Sequence, residues 1–324
     1  MQPIHRYKEL IESGLRNLEI PEQPSELYEP IRYMLALGGK RLRPSLVLMG
    51  CELFGGEIQN ALQAALGIEV FHNFTLLHDD IMDKAPLRRA KETVHAKWNA
   101  NVAILSGDAM FVKSCQLMMQ TEQKYCGNVM EIFLKTALEV CEGQQFDMNY
   151  ENAENVSIGE YLKMIRLKTA VLLGCALQTG AIIAGASAKD AERIREVGNN
   201  LGIAFQLHDD LLDVYGQAEK FGKQPGGDLV SNKKTFLLLT ALADSSKSEL
   251  KELHSWLASR NADPSLKIDA IRNIFSRLGI QEKTEQKTNS YFREAMELLE
   301  QINIPPAKKE SLQHLADALM VREY

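Results

Sequence analysis

Features that mark several common classes of protein are scarce or missing in this sequence. The 324 residues include only five cysteines, and no two of them form a CxxC pair. This argues against a disulfide scaffold or a zinc site and favours a reducing compartment. The formal net charge is −6, so the chain lacks the overall basic field of a nucleic-acid-binding protein. It also lacks a Walker A motif and a GxGxxG motif, which argues against an ordinary nucleotide site.

Membrane-targeting features are weak as well. The first 20 residues mix charges with an amphipathic pattern and contain no apolar signal core. The most apolar stretch, residues 169–188, includes Gln178 and several glycines, so we interpret it as a buried helix rather than a membrane span. These features predict a cytoplasmic protein.

What the sequence does contain is helical periodicity along almost its whole length. Apolar residues recur at three- and four-residue steps, as on one face of a helix, and only Glu69 interrupts the stripe in residues 62–81. Proline and glycine punctuate the chain where such helices should end. We find no linker, no convincing β-hairpin signal and no alternating strand–helix pattern. The sequence therefore predicts an all-α protein with a single domain over residues 1–324.

Two short motifs repeat one pattern of charged residues. Residues 78–83 and 208–213 both read H-D-D-x-x-D and stand 130 positions apart. On a helix, residues three and four apart share a face, so each motif gathers three carboxylates within about one turn. These carboxylates belong to Asp79, Asp80 and Asp83 in the first motif and to Asp209, Asp210 and Asp213 in the second.

Carboxylate clusters of this kind need a cation. Like charges this close destabilise a helix, and near its C-terminus they also oppose the helix dipole. Magnesium fits best, because it takes one or two carboxylates and completes its shell with water and substrate phosphates. A solvated acidic helix end is the alternative for one motif alone, but two matching motifs in apolar helices favour a metal site.

Two polar residues align with these carboxylates. His72 lies two turns before Asp79, and Gln206 precedes the second motif with helical spacing. A lone histidine or glutamine on an apolar helix is usually a core residue with satisfied hydrogen bonds. Because His72 and Gln206 align with the aspartates, we give a role in the same site the same weight as a role in the core.

Basic residues cluster beside both motifs, as phosphate groups require. A glycine turn, GGKRLRP at residues 38–44, carries three cations, and Arg88–Arg89 follow the first motif. Lys168–Thr169 open the apolar stretch, and Lys223 and Lys233 follow the second motif. Each group has a simpler interpretation, such as a solvated loop or a helix cap. Their recurrence beside both carboxylate sets favours a diphosphate site.

These motifs resemble those of the trans-isoprenyl diphosphate synthase family, which includes farnesyl and geranylgeranyl diphosphate synthases. The resemblance covers roughly residues 30–300 and rests on GGKRLRP at 38–44, DDIMD at 79–83 with RR at 88–89, KT at 168–169, FQLHDDLLD at 205–213 and GKQPGGDLVSNKKT at 222–235. It implies a bundle of mostly antiparallel helices around a deep central cavity, usually as a homodimer. It also implies magnesium-dependent condensation of isopentenyl diphosphate with an allylic diphosphate, whether dimethylallyl, geranyl or farnesyl diphosphate.

By position, the resemblance implies a role for each matching residue. About three magnesium ions would bind to Asp79, Asp80, Asp83, Asp209 and Asp213, with Asp210 as a further catalytic carboxylate. The allylic diphosphate would contact Arg88, Lys168, Lys223 and Lys233, and isopentenyl diphosphate would contact Gly39, Lys40, Arg43, His72 and Arg89. Thr169 and Gln206 would offer oxygen dipoles to the allylic cation; Gln144 and Asp147 match a weaker pattern near the metals, and Asp228 would act through water.

The resemblance also bears on the length of the product. Phe74, five residues before Asp79, would floor the cavity for the growing chain, and the small Thr75 would leave space beside it. This pattern is similar to that of short-chain synthases that make the C20 product, geranylgeranyl diphosphate. The C15 product, farnesyl diphosphate, is the close alternative. In another interpretation Phe74 packs in the core and a residue on a different helix sets the length.

Two other functions stay open at this point. A terpene cyclase of the same helical architecture would bind a diphosphate through metal but would need no isopentenyl site, which GGKRLRP and His72 argue against. A non-catalytic partner subunit of the family typically lacks one or more of the aspartates, and this chain keeps them all.

Overall fold

The protein, described by a computed structural model, is almost entirely helical. The structure describes residues 2–216, 226–259 and 262–320. In chain order the helices within this part are α1 (Gln2–Arg16), α2 (Ser25–Ala36), α3 (Leu42–Leu53), α4 (Ile58–Met82), α5 (Val94–Lys97), α6 (Ala100–Met118), α7 (Gln123–Asn152), α8 (Ile158–Ile165), α9 (Val171–Ile183), α10 (Ala188–Tyr215), α11 (Gly227–Val230), α12 (Phe236–Asp244), α13 (Lys247–Ala258), α14 (Pro264–Leu278), α15 (Ile280–Glu300) and α16 (Pro306–Met320). The prediction of an all-α fold is confirmed.

The chain divides into two compact units. The first unit comprises Met1–Lys135, Cys175–Arg195 and Ile304–Lys308, and the second comprises Thr136–Gly174, Glu196–Asn303 and Lys309–Tyr324. The first aspartate motif lies in the first unit and the second motif in the second unit. That the whole chain acts as one domain stays a prediction.

Helix α4 is the centre of the first unit and carries the first motif at its C-terminal end. It packs mainly against α3 and α6. The predicted apolar stripe is buried at Ala65, Leu66, Val70 and Leu77, and burial of each large side chain contributes roughly 1.5–3 kcal/mol. Burial of this face therefore sets the position of α4, and with it the position of the motif in its last turn.

A short antiparallel ribbon follows α4, which the sequence did not lead us to expect. Strand β1 (Leu87–Arg88) pairs with β2 (Lys91–Glu92). The two turn residues, Arg89 and Ala90, have φ values of 53° and 60°, as a type I′ turn requires. The usual Asn-Gly or Asp-Gly signal is missing from this turn, which explains why the ribbon could not be recognised from the sequence.

In the second unit, α8 begins at a capping box. The Ser157 side chain accepts from the backbone N–H of Glu160, and the Glu160 carboxylate accepts from the backbone N–H of Ser157, so two orphan donors of the first turn are satisfied. Directly after α8, residues Arg166–Ala170 form a π-helix that leads into α9. The predicted Lys168–Thr169 site lies inside this π-helix, a distortion that is often found at functional sites.

Within the described residues, one continuous helical stretch is long and apolar enough to cross a membrane by length and composition alone. It spans Ile158–Ile183, and 78% of its most apolar window is buried inside the protein. This agrees with the interpretation of the apolar stretch as a buried helix.

Candidate active site

The three aspartates of the first motif differ in exposure. Asp79 and Asp80 lie in the last turn of α4, and Asp83 follows as its C-terminal cap. Asp80 is only 2% exposed, whereas Asp79 is half-buried and Asp83 is exposed. Carboxylates at a helix C-terminus are disfavoured by the helix dipole, so this end of α4 requires positive charge nearby.

Arg88 provides that charge from strand β1. Its Nε donates to both carboxylate oxygens of Asp80, at 2.9 and 2.8 Å, and its Nη2 lies 2.7 Å from Asp80 and 3.8 Å from Asp79. Thr93, 1% exposed, anchors the ribbon because its hydroxyl donates to the carbonyl of Ala85 at 2.7 Å. The predicted neighbourhood of Arg88 and the first motif is thus present in the structure.

The glycine turn at residues 38–44 separates its three cations into two kinds. Arg41 is 3% exposed and points inward, where Nε donates to Glu12 at 2.8 Å and Nη1 donates to Glu69 at 2.6 Å. Lys40 is exposed and Arg43 half-buried. Arg41 therefore holds the turn against α1 and α4, while Lys40 and Arg43 stay with the predicted phosphate-binding set.

His72 accepts a hydrogen bond from this turn. Arg43 Nη1 lies 3.1 Å from His72 Nε2. Burial lowers the pKa of His72 well below its ordinary value, and the charges of Arg43 and Arg89 lower that pKa further. A neutral imidazole can accept at Nε2, so Arg43 is the donor.

Arg89 and Gly39 approach each other closely. A Cβ atom on Gly39 would lie 3.0 Å from Arg89 Nη2, and Gly39 itself has a φ of 150°, which side-chain-bearing residues rarely adopt. Burial lowers the pKa of Arg89, as does the charge of Arg41. The four residues Gly39, Arg43, His72 and Arg89 thus lie in one part of the first unit, as the prediction for an anion site requires.

The two predicted chain-length residues lie on α4 just before the first motif. The Phe74 ring packs against His78, Phe71 and Phe111, with ring centroids 4.7, 5.5 and 5.5 Å apart. The Thr75 hydroxyl donates to the carbonyl of His72 at 2.8 Å. Phe74 is therefore braced by other aromatic rings, and its role in setting product length stays a prediction.

The second motif lies on α10, with a different set of partners. Asp210 is 4% exposed; one of its oxygens accepts from the Tyr161 hydroxyl and the other from Gln206 Nε2 at 3.0 Å. Burial raises the pKa of Asp210 to about 7, as does the charge of Asp228, while the hydrogen bonds from Tyr161 and Gln206 act in the opposite direction. Asp209 is half-buried.

Asp213, the last aspartate of this motif, fixes the start of the next helix. Its Oδ2 accepts from the backbone N–H of Asp228 at 3.0 Å, at the N-terminal end of α11. A carboxylate is stabilised there by the helix dipole. Asp228, predicted to act through water, is therefore held beside Asp213 by its own backbone.

Lys168 and Thr169 project from the π-helix toward other predicted residues. Lys168 Nζ lies 2.5 Å from Asp147 Oδ2 on α7, and the Thr169 hydroxyl donates to Gln206 Oε1 at 3.3 Å. A Cβ atom on Gly143 of α7 would lie 2.2 Å from the backbone nitrogen of Lys168. Only glycine allows this approach of α7 to the π-helix.

The remaining basic residues of the second unit have different surroundings. Lys233 is exposed. Lys234 donates to the carbonyls of Tyr150 and Glu151 at 2.8 and 3.2 Å, so it caps the C-terminal end of α7. Gln144 lies half-buried on α7 beside Gly143. Lys223 lies outside the described residues.

The donors of each motif fit a divalent cation without forming a complete cage. Among the described residues, no group of three or more His, Cys, Asp or Glu side chains is arranged to hold a metal ion. Asp79 and Asp83, four residues apart at the end of α4, offer the hard oxygen ligands that magnesium prefers, in the small number that leaves room for water and phosphate oxygens.

Sequence reasoning missed two residues that support this site. Glu69 appeared only as an interruption of an apolar stripe, yet it is the buried partner of Arg41; a charge in a core stripe was the available signal. Tyr161 lies on α8 outside every motif, and its contact with Asp210 depends on tertiary structure, so no local signal marked it.

Comparison with known proteins identifies relatives along almost the whole chain. The family model described as polyprenyl synthetase matches residues 24–274. The geranylgeranyl diphosphate synthase of Methanosarcina mazei is 35% identical over 316 residues, which cover 97% of this chain and 95% of the relative. The geranylfarnesyl diphosphate synthase of Aeropyrum pernix is 33% identical, with 92% of this chain and 95% of the relative covered. A crystal structure of a geranylgeranyl pyrophosphate synthase superposes with a TM-score of 0.93 at 43% identity, covering 100% of this chain and 98% of that one.

Proposed function

We propose that this chain, which belongs to the polyprenyl synthetase family, condenses isopentenyl diphosphate with an allylic diphosphate to make geranylgeranyl diphosphate. The allylic C–O bond breaks and inorganic diphosphate leaves, the isopentenyl double bond attacks the resulting cation to form a new C–C bond with a trans double bond in the product, and the proton lost in that last step passes to the departed diphosphate. The observation that carries the proposal is the arrangement at the end of α4, where Arg88 holds Asp80 and lies 3.8 Å from the partly accessible Asp79. At the second motif, the charge of Lys233 acts on Asp210.

The allylic diphosphate is assigned to the basic residues nearest the aspartates. Arg88 lies against the first motif, and Lys168 is held by Asp147 next to the Thr169–Gln206 contact. Lys233 and Lys223 complete this set by position in the sequence. As cations they stabilise the negative charge that develops on the departing diphosphate.

Isopentenyl diphosphate is assigned to the anion site of the first unit. Arg43 and Arg89 provide guanidinium groups, which bind phosphate oxygens in a bidentate manner, and the exposed Lys40 adds a point charge. Neutral His72 accepts from Arg43 and thereby orients it. Because Gly39 has no side chain, the guanidinium of Arg89 can lie against its backbone.

Magnesium is the proposed cofactor, with about three ions per site by analogy with the family. Because Arg88 already holds both oxygens of Asp80, we assign direct contacts in the first motif to Asp79 and Asp83 before Asp80. Asp209 and Asp213 are the corresponding ligands in the second motif. When bound, magnesium neutralises the diphosphate and favours its departure as a leaving group.

Thr169 and Gln206 have a different part in the proposal, because they carry no charge. Their oxygens lie 3.3 Å apart and offer dipoles that stabilise an allylic cation. The apolar residues around them exclude water, which would otherwise capture the cation.

The C20 product is favoured by Phe74 together with the small Thr75, and by the names of the relatives from Methanosarcina mazei and from the solved structure. Farnesyl diphosphate is the alternative product. The geranylfarnesyl relative means that family membership alone does not decide the length.

We also propose that the enzyme is a cytoplasmic homodimer. This state is supported by the exposed apolar residues Leu105, Val112 and Met119, which recur every seven positions along α6 and its C-terminal cap.

The direct test is incubation of the purified protein with isopentenyl diphosphate, dimethylallyl diphosphate and Mg²⁺, followed by analysis of product length. We expect a C20 diphosphate. A C15 or C25 product would overturn the length assignment, and a failure to consume isopentenyl diphosphate would favour a terpene cyclase.

The variants Asp79→Ala and Asp209→Ala test whether the chain itself is catalytic. Each should lower turnover on the order of 10³-fold, with the exposed Asp108→Asn on α6 as control. Unchanged turnover would mean that a non-catalytic subunit had been purified with another enzyme.

A further inference from the structure

Tyr161 is a buried tyrosine outside all the sequence motifs, yet its hydroxyl reaches the second motif. It is 1% exposed, and its ring packs in an apolar cluster with Met164, Ile203 and Leu207 among its members. The capping box at Ser157 fixes the first turn of α8 just before it. An aromatic side chain has two rotatable bonds, and packing on all sides fixes both of them, so the position of the hydroxyl is set by the fold.

From this hydroxyl a chain of three hydrogen bonds leads to the π-helix. Tyr161 donates to one oxygen of Asp210, Gln206 Nε2 donates to the other oxygen at 3.0 Å, and Thr169 Oγ1 donates to Gln206 Oε1 at 3.3 Å. All four residues belong to the second unit. The chain therefore connects a core residue of α8 with both residues assigned to the allylic cation.

The chain also determines which way the Gln206 amide faces. The amide turns its NH₂ group toward Asp210 Oδ1 and its oxygen toward Thr169, which is the orientation that an ionised carboxylate, as a pure acceptor, requires. The oxygen then meets the Thr169 hydroxyl, whose proton is used in that contact. One lone pair of Gln206 and the lone pairs of Thr169 stay available for a positive charge.

The direction of the first hydrogen bond is fixed as well. Burial raises the pKa of Tyr161 well above its ordinary value, and the charge of Asp210 raises it further. The hydroxyl thus keeps its proton and acts as the donor. Without it, the buried carboxylate of Asp210 would lack one of its two donors, and leaving a buried polar atom unsatisfied is unfavourable.

We infer that Tyr161 is a positioning residue for prenyl transfer, which acts through Asp210 to hold the Gln206 amide, and with it Thr169, in the one orientation that presents oxygen atoms to the allylic cation. The inference rests on the proposed function for its last step. It differs from a purely structural role because the effect must pass through Gln206.

The kinetic test uses Tyr161→Phe, which removes one oxygen and keeps the ring. We expect kcat to fall about 10-fold, equivalent to about 1.4 kcal/mol, with the KM values for both diphosphates changed less than about twofold, because the lost interaction acts in the transition state. In the background of Gln206→Leu, Tyr161→Phe should have almost no further effect, since a residue that acts through another is not additive with it. The control is Tyr291→Phe, a partly buried tyrosine packed against the same cluster, which should leave kcat unchanged.

Two kinetic results would overturn the inference. One is an unchanged kcat for Tyr161→Phe, and the other is an equal loss with and without Gln206. If the wild-type protein itself forms no prenyl diphosphate in this assay, the proposed function fails instead.

A second measurement does not depend on activity. In protein labelled with ¹⁵N in glutamine side chains, the Gln206 amide signal can be assigned by its disappearance in Gln206→Leu. We expect Tyr161→Phe to shift this signal and to speed its hydrogen exchange, while Tyr291→Phe does neither. An unchanged signal in Tyr161→Phe would show that the tyrosine does not orient the amide.

Discussion

Asp80 and Asp210 occupy the same place in two nearly identical motifs, and both are buried. Asp80 accepts from the guanidinium of Arg88 through both oxygens, whereas Asp210 accepts from the neutral groups of Tyr161 and Gln206. A cation compensates the charge of the first carboxylate directly. Neutral donors compensate the second less completely, which is consistent with the raised pKa of Asp210.

The difference extends to the surroundings of each motif. Around the first, Arg41, Arg43, Arg88 and Arg89 all lower the pKa of His72, so this region is rich in positive charge. Around the second, Asp210 and Asp213 accept hydrogen bonds from a tyrosine, an amide and a backbone N–H, and the charge of Lys233 also acts on Asp210. The same sequence pattern therefore has different nearest hydrogen-bond partners in the two units: charged donors at Asp80 and neutral donors at Asp210.

The largest expected effect of this difference appears when each middle aspartate is replaced by asparagine. Asp80→Asn leaves Arg88 without its carboxylate, and a hydrogen bond to a charged group contributes about 1.5–3 kcal/mol, so kcat/KM should fall about 10²-fold. Asp210→Asn keeps an oxygen for one neutral donor and should cost about 10-fold. Steady-state kinetics on both variants tests this, and equal losses would contradict the contrast between the two regions.

A smaller effect is expected from two glycines that allow close approach, one in each unit. A Cβ on Gly143 would lie 2.2 Å from the backbone nitrogen of Lys168, whereas a Cβ on Gly107 would lie 2.2 Å from the side-chain Nε2 of His78. A side chain can move aside more readily than a backbone. We expect Gly143→Ala to lower the free energy of unfolding by about 2 kcal/mol and Gly107→Ala by about 1 kcal/mol.

Urea unfolding of both alanine variants measures these free energies. Gly127→Ala on α7 is the matched control, because a Cβ there meets no atom within 4 Å; it should be neutral or slightly stabilising. If Gly107→Ala proved the more costly change, the expectation that the His78 side chain can move aside would be wrong.

Much of this arrangement could be predicted from the sequence, because its signals are local. Helical periodicity predicted the all-α fold, and the H-D-D-x-x-D spacing predicted that each aspartate set shares a helix end. The contacts that separate the two regions are not local. Tyr161 and Asp210 are 49 residues apart, and Arg41 and Glu69 are 28 apart, so helical spacing gives no information about either pair.

The sequence also did not show which cation of the glycine turn is buried. Arg41 reads as one of three equivalent cations in GGKRLRP, but its φ of 52° turns its side chain inward to Glu12 and Glu69. The apolar stripe that Glu69 interrupts already contained this information. A charged residue within a core face requires a buried partner, and the arginine-rich turn was the available source of one.

The last expected effect concerns pH and arises in the arginine-rich region. The pKa of His72 in the folded protein lies well below its ordinary value of 6.5, so as pH falls below about 6.5 the unfolded chain takes up a proton that the folded protein does not. Stability contributed by neutral His72 is therefore present above pH 6.5 and is lost toward acid, by up to about 1.4 kcal/mol per pH unit. His72→Gln, which keeps an acceptor for Arg43, should remove this part of the pH dependence.

Urea unfolding between pH 7.5 and pH 5 tests this prediction. The exposed His314→Gln on α16 is the control and should follow the wild-type curve. Parallel curves for wild type and His72→Gln would mean that burial and the surrounding arginines do not keep the imidazole neutral, and the electrostatic contrast between the two motifs would lose its support on the side of the first unit.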